Sequence, residues 1–146
     1  MTAETGETIH ATCVAIGDAA VLILGDSGSG KSDLALRLID RGAMLVADDY
    51  TLLRPDGKSL LAFAPGTIAG LIEVRGLGIL PSPRRDGVAV RLAIALGEDV
   101  ERLPEHLAER RIAGFSIPVM PLAGFEASAP IKVELALRHV TTQGTA

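Results

Sequence analysis

The sequence predicts one mixed α/β domain with several antiparallel strand pairs. Three observations carry that expectation. An apolar run, Val21 to Leu24, passes straight into glycines and then into a helical period. Short β-type runs on either side are separated by Gly- and Pro-containing turn signals. The 146 residues, 48% hydrophobic and 22% charged, supply one core of ordinary composition rather than two.

From the N-terminus, Ile9 to Ile16 alternates loosely, and the Gly17-Asp18 turn signal before Val21 to Leu24 predicts two strands joined by a tight hairpin. Leu34, Ala35, Leu38 and Ile39 fall at helical spacing between Lys31 and Arg41, with Gly42 where a C-terminal cap belongs. Met44 to Ala47 reads as a short buried strand ending in Asp48-Asp49. Tyr50 to Leu53 is a strand entering an Arg54 to Lys58 turn, and Leu60 to Ala64 is its return. The glycine-rich stretch from Pro65 to Pro83 fits no single element. Val88 to Leu96 predicts a strand, Leu103 to Arg110 a helix, and Ile131 to Leu137 a strand exposed on one face.

Composition excludes several function classes. Aromatic residues are 3% with no Trp, and 14 Lys+Arg stand against 18 Asp+Glu for a net charge of −4, so neither base-stacking platforms nor a basic footprint is present. No nucleic acid is expected as partner. Cys13 is the single cysteine, which rules out an internal disulfide and reads as a small core residue. The N-terminus is polar and acidic, and apolar runs such as Ala19 to Leu24 are too short to span a bilayer. The expectation is a soluble, cytoplasmic protein with no membrane partner.

Gly25-Asp26-Ser27-Gly28-Ser29-Gly30-Lys31-Ser32 satisfies G-x-x-x-x-G-K-[ST] directly after an apolar strand and directly before a helix. Glycines let successive N–H groups turn inward around an anion, and the helix N-terminus adds partial positive charge. Lys31, expected to be exposed at the loop–helix junction, would reach the β- and γ-phosphates, and the Ser32 hydroxyl would ligate Mg²⁺. One helix and one strand further on, Asp48-Asp49 returns to the sheet edge where the phosphates should sit. An acid there can hold metal or accept a proton, although two solvated aspartates capping a turn would look the same. Glu73-Val74-Arg75-Gly76-Leu77-Gly78 sets a carboxylate and a guanidinium among glycines that let backbone approach a ligand. His10 reads as a half-buried strand histidine, and no zinc-like spacing involves His106 or His139.

In combination these segments resemble the catalytic domain of bifunctional HPr kinase/phosphorylase, the bacterial enzyme that modifies a serine of the phosphocarrier protein HPr. The likeness is carried by Ile9-His10-Ala11-Thr12, by GDSGSGKS, by Arg41-Gly42 through Val46-Ala47-Asp48-Asp49, and by Ile72 to Gly78. The resemblance implies a P-loop kinase variant similar to phosphoenolpyruvate carboxykinase, with a mixed sheet and antiparallel hairpins. It also implies ATP and Mg²⁺ as cofactors, an HPr-like partner, a role in regulating carbon and nitrogen metabolism, and a homo-oligomer, hexameric in the family. By the same resemblance Lys31 holds phosphate, Ser32 and Glu73 hold Mg²⁺, and His10 lies by the reacting phosphates. Asp49 matches the base that deprotonates the target serine and protonates it in reverse, and Arg102 looks like the downstream catalytic arginine.

Residues 1–146 are expected to form a single P-loop kinase domain like the short forms of some proteobacteria, without the family's N-terminal domain and its regulation. A second departure lies after Ile117-Pro118-Val119, where the family's basic loop is replaced by Met120 to Gly124 with no Lys or Arg. That replacement implies weak phosphorolysis, unless Arg84-Arg85 of a neighbouring subunit substitutes. Two other functions fit a phosphate loop. A small-metabolite kinase would need an Arg-rich lid, for which Arg84-Arg85 and Arg110-Arg111 are the clusters available. A non-catalytic nucleotide-binding regulatory module would explain the missing basic loop. No N-K-x-D motif supports a GTPase.

Overall fold

The computed structural model describes residues 6–100 and 106–143. Its strands are β1 (Glu7–Ile9), β2 (Ala11–Ile16), β3 (Ala19–Leu24), β4 (Met44–Ala47), β5 (Thr51–Asp56), β6 (Ser59–Phe63), β7 (Leu71–Val74), β8 (Gly78–Pro81), β9 (Val88–Leu96), β10 (Ala108–Ile112) and β11 (Phe115–Leu122). The α-helices among the described residues are α1 (Lys31–Asp40) and α2 (Ala129–Gln143). The mixed α/β class with antiparallel hairpins is the one the sequence predicts.

The main sheet runs β1-β5-β6-β9-β3-β2-β4, with β11 and then β10 branching from β9. The long β9 is parallel to β3 along one edge; on its other edge it pairs with β6 near its start and with β11 over Ala93 to Leu96. Alternation along the strands builds a core on each face. Val14, Val21, Ile23, Leu92 and Ile94 pack under α1 and α2, whereas Cys13, Ala15, Leu22, Val46 and Ala93 point the other way, where β5, β6, β10 and β11 curl over them. The outer edge of β4 is covered by residues 83–85, which bond to both backbone groups of Leu45.

The β2–β3 hairpin closes on two residues, with Gly17 at φ +61 in its first loop position. Helix α1 ends in a Schellman motif: Ala43 N–H bonds to Leu38 O, Gly42 N–H bonds to Ile39 O, and Gly42 takes φ +113. The 65–83 stretch contains the small β7–β8 sheet.

Three expectations are corrected. The strand starting at Ile9 breaks at His10, because β1 pairs with β5 while β2 pairs with β3 and β4. The helix over Leu103 to Arg110 lies partly outside the described residues, and Ala108 to Arg110 belong to strand β10. Ala113 and Gly114, both at positive φ, form the two-residue hairpin turn that pairs β10 with β11. The strand over Ile131 to Leu137 is part of α2, whose buried positions Ala129, Val133, Ala136 and Leu137 follow the helical period while Ile131 and Leu135 are exposed. Among the described residues no helix is long and apolar enough to cross a membrane.

Candidate functional site

The phosphate loop leaves β3 at Leu24 and enters α1 at Lys31, the strand–loop–helix frame its motif requires. Gly28 and Gly30 take φ +83 and +98, and no side chain caps the α1 N-terminus. The first-turn donors of the helix are therefore open toward the loop. Lys31 is buried rather than exposed as expected, because its Nζ folds back to donate to Gly25 O at 2.9 Å and Asp26 O at 3.2 Å. Ser29 Oγ lies inside the loop and is, among the described residues, a buried side-chain oxygen with no partner. An orphaned hydroxyl and a lysine bound to its own loop suit a cradle whose natural occupant is a phosphate chain.

Across from this loop, β4 delivers Asp48 and Asp49 with different surroundings. Asp48 is 7% exposed, and its Oδ1 accepts from Ser32 Oγ at 2.6 Å and Thr12 Oγ1 at 3.1 Å. Its Oδ2 accepts from the Glu73 N–H at 2.9 Å. One buried carboxylate thus ties together β2, the start of α1 and β7. Asp49 is held at φ +71, with Tyr50 N–H bonding to Asp48 O across it in a γ-turn, and its own N–H donates to Thr12 Oγ1 at 3.0 Å. A non-glycine residue in that region is strained, and such strain clusters at functional sites. The turn swings the Asp49 carboxylate outward, where its Oδ1 accepts from His10 Nε2 at 2.9 Å and the His10 ring leans on Tyr50.

Gly28, Lys31, Ser32, Asp49, Glu73 and Arg75 line a single cleft of about 340 Å³. The structure therefore brings together residues that the sequence scatters over three segments. Arg102 lies outside the described residues. Arg84 and Arg85 are not at this cleft: Arg84 pairs with Asp86, and Arg85 bonds to Gly17 O at the far end of the β2–β3 hairpin. Arg110 pairs with Glu98. For Mg²⁺, the donors at hand are the Ser32 hydroxyl and the carboxylates of Asp48 and Glu73; no group of three or more His, Cys, Asp or Glu converges among the described residues. A sparse oxygen set of this kind suits an ion that keeps waters and binds substrate phosphates. A second concavity, of about 380 Å³ beside Ile16 and Leu137, carries Glu134, already paired with Arg41.

Two contributions are absent from the sequence reading. Thr12 bridges the two aspartates, but a threonine in a strand gives no signal of such a role. Phe125, in the loop before α2, lines the same cleft. The stretch without Lys or Arg noted in the sequence, Met120 to Gly124, ends one residue before it.

The model of the HPr Serine kinase C-terminal domain matches residues 2–139. HPr kinase/phosphorylase of Caldicellulosiruptor bescii is 40% identical over 126 residues, covering 77% of this chain and 40% of that protein. HPr kinase/phosphorylase 1 of Oceanobacillus iheyensis is 51% identical over 73 residues, or 49% of this chain and 24% of that protein. The chain thus spans less than half the length of these curated relatives. The solved Hpr(Ser) kinase/phosphatase of Coxiella burnetii superposes with a TM-score of 0.83 at 27% identity, covering 95% of this chain and 93% of that one.

Proposed function

Because the chain belongs to the HPr serine kinase C-terminal domain family, we propose that it is an ATP- and Mg²⁺-dependent serine kinase acting in the cytoplasm on an HPr-like phosphocarrier protein. The observation that carries this reading is the meeting of the phosphate loop and the strained Asp48-Asp49 turn in one cleft.

On this reading Lys31 exchanges its two loop carbonyls for phosphate oxygens, a stronger charge-assisted contact, and the open α1 N-terminus faces the same charge. Ser32 and Glu73 would hold Mg²⁺, which would neutralise negative charge on the donor phosphates. Asp49 is the base. It takes the serine proton as the hydroxyl oxygen bonds to the γ-phosphorus, while the bond from that phosphorus to ADP breaks and its electron pair leaves with ADP. His10 orients the Asp49 carboxylate through their 2.9 Å contact. Asp48 is a positioning residue that fixes Ser32 and Glu73 relative to each other.

In reverse, an oxygen of inorganic phosphate bonds to the phosphoserine phosphorus as the bond from that phosphorus to the serine oxygen breaks; pyrophosphate leaves, and Asp49 returns a proton to the serine oxygen, which keeps the electron pair. That direction is the weaker one here. The Met120 to Gly124 segment has no cation of its own, and the neighbouring Arg37 is committed to Asp33 and to the carbonyls of Gly124 and Glu126.

Asp49→Asn tests the assignment. An amide keeps the shape but cannot take the proton, so phosphoserine formation should fall by about 10²- to 10⁴-fold. Nucleotide binding measured by calorimetry should persist. Normal transfer by this variant removes Asp49 as base, and a native protein that binds nucleotide but phosphorylates no HPr-like protein points to the regulatory-module reading.

A further inference from the structure

Phe125 is an exposed aromatic ring fixed in place beside the phosphate loop. Of three phenylalanines in the chain it alone is fully on the surface, at 70% exposure, while Phe63 and Phe115 are half-buried. Its backbone is not loose. Arg37 of α1 donates to Gly124 O and, at 3.0 Å, to Glu126 O, gripping both neighbours of Phe125. Asp33 holds the same guanidinium at 3.0 Å. Gly124 lies so close to Leu96 that a Cβ there would stand 2.9 Å from its Cδ2.

The ring projects over Gly30. A Cβ on Gly30 would meet Phe125 Cζ at 2.8 Å, so the absence of a side chain at the last glycine of the loop is what lets the ring lie there. Phe125 shares the cleft with Lys31, Ser32, Asp49 and Glu73. Exposed apolar rings at the lip of a polar cleft call for a planar apolar occupant, and a nucleoside triphosphate has one at the end of its phosphate chain.

We infer that Phe125 is the base platform of the donor site: the nucleobase stacks on its ring while the triphosphate lies in the loop. This rests on the kinase reading above and extends it to how the donor is chosen. Stacking needs only a π-face, so the platform favours nucleoside triphosphates over inorganic polyphosphates without separating ATP from GTP.

The test compares ATP, GTP and inorganic tripolyphosphate, each with Mg²⁺, by calorimetry on the native chain and on Phe125→Ala, Phe125→Tyr and Lys31→Ala. Phe125→Ala should weaken both nucleotides by about 5- to 100-fold and leave tripolyphosphate unchanged, with Phe125→Tyr restoring nucleotide affinity. Because the chain has no tryptophan, Phe125→Trp adds a single tryptophan, excited selectively at wavelengths where Tyr50 does not absorb, that ATP should quench and tripolyphosphate should not. Equal weakening of all three ligands by Phe125→Ala, or of none, overturns the platform. So does a Trp signal that responds to an HPr-like protein and not to ATP. Lys31→Ala separates the two layers: if it leaves every ligand bound as before, the phosphate-loop reading itself fails.

Discussion

The Asp48 carboxylate accepts three hydrogen bonds in a nearly closed site, while the Asp49 side chain stands 56% exposed with His10 as its partner. Thr12 is the hinge of that difference, since one hydroxyl accepts the Asp49 N–H and donates to Asp48. Thr12→Val keeps the shape and removes both bonds, leaving the Asp49 N–H without its partner and Asp48 Oδ1 with Ser32 alone. It should cost about 1–3 kcal/mol of stability in urea unfolding. It should also lower kcat more than it raises the KM for nucleotide, because the Asp49 turn loses its tether while the phosphate loop keeps its own contacts. The acid pair was legible in the sequence through its distance from the phosphate loop, and the choice of Asp49 came from family resemblance. The Thr12 tie was not legible, because it depends on β2 and β4 lying side by side in a register no local pattern encodes.

Helix α1 connects core to chemistry. Leu34, Ala35 and Leu38 are buried on one face, while Lys31 and Ser32 in its first turn reach the cleft. Leu38 also supplies the carbonyl that closes the Schellman motif. Leu38→Ala keeps that carbonyl but empties a fully buried site, so it should cost about 2–5 kcal/mol, read as a lower denaturant midpoint at unchanged slope. This helix was readable end to end, since its period, its glycine cap and the preceding motif agree. Helix α2 reads as a strand because Ile131, Val133, Leu135 and Leu137 fall at every second position around Lys132, Glu134 and Ala136, yet only Val133 and Leu137 of these are buried, together with Ala136. The better signal was Pro130 just inside the helix after Ser128, whose carbonyl accepts the Lys132 N–H. The β10–β11 hairpin escaped notice because its turn is Ala113-Gly114, and Ala113 at φ +51 lacks the Asn or Asp that ordinarily marks such a position.

At the scale of the molecule, a sheet covered on both faces places Cys13 beyond solvent, and burial pushes its thiol well above the ordinary range. The folded chain keeps that proton at pH values where the unfolded chain has lost it. Above about pH 8.5 the unfolded state therefore binds fewer protons, and stability falls with rising pH by about 1.4 kcal/mol per unit; below that pH the term is silent. Unfolding free energies of native and Cys13→Ala protein should run parallel up to about pH 8 and converge above it. Parallel curves through pH 10 would show that the thiol opens to water. The same sheet also sets a schedule for synthesis. Strand β3, which feeds the phosphate loop, pairs in parallel with β9, and their register joins Ala19 to Ala89. At about 5–20 residues per second, the ribosome needs roughly 4 to 14 seconds to deliver β9 after β3 has emerged. For that interval the apolar Val21 to Leu24 edge is bare, an invitation to pair with another nascent chain. Those seconds, and not the finished fold, are when this strand edge is open to such pairing.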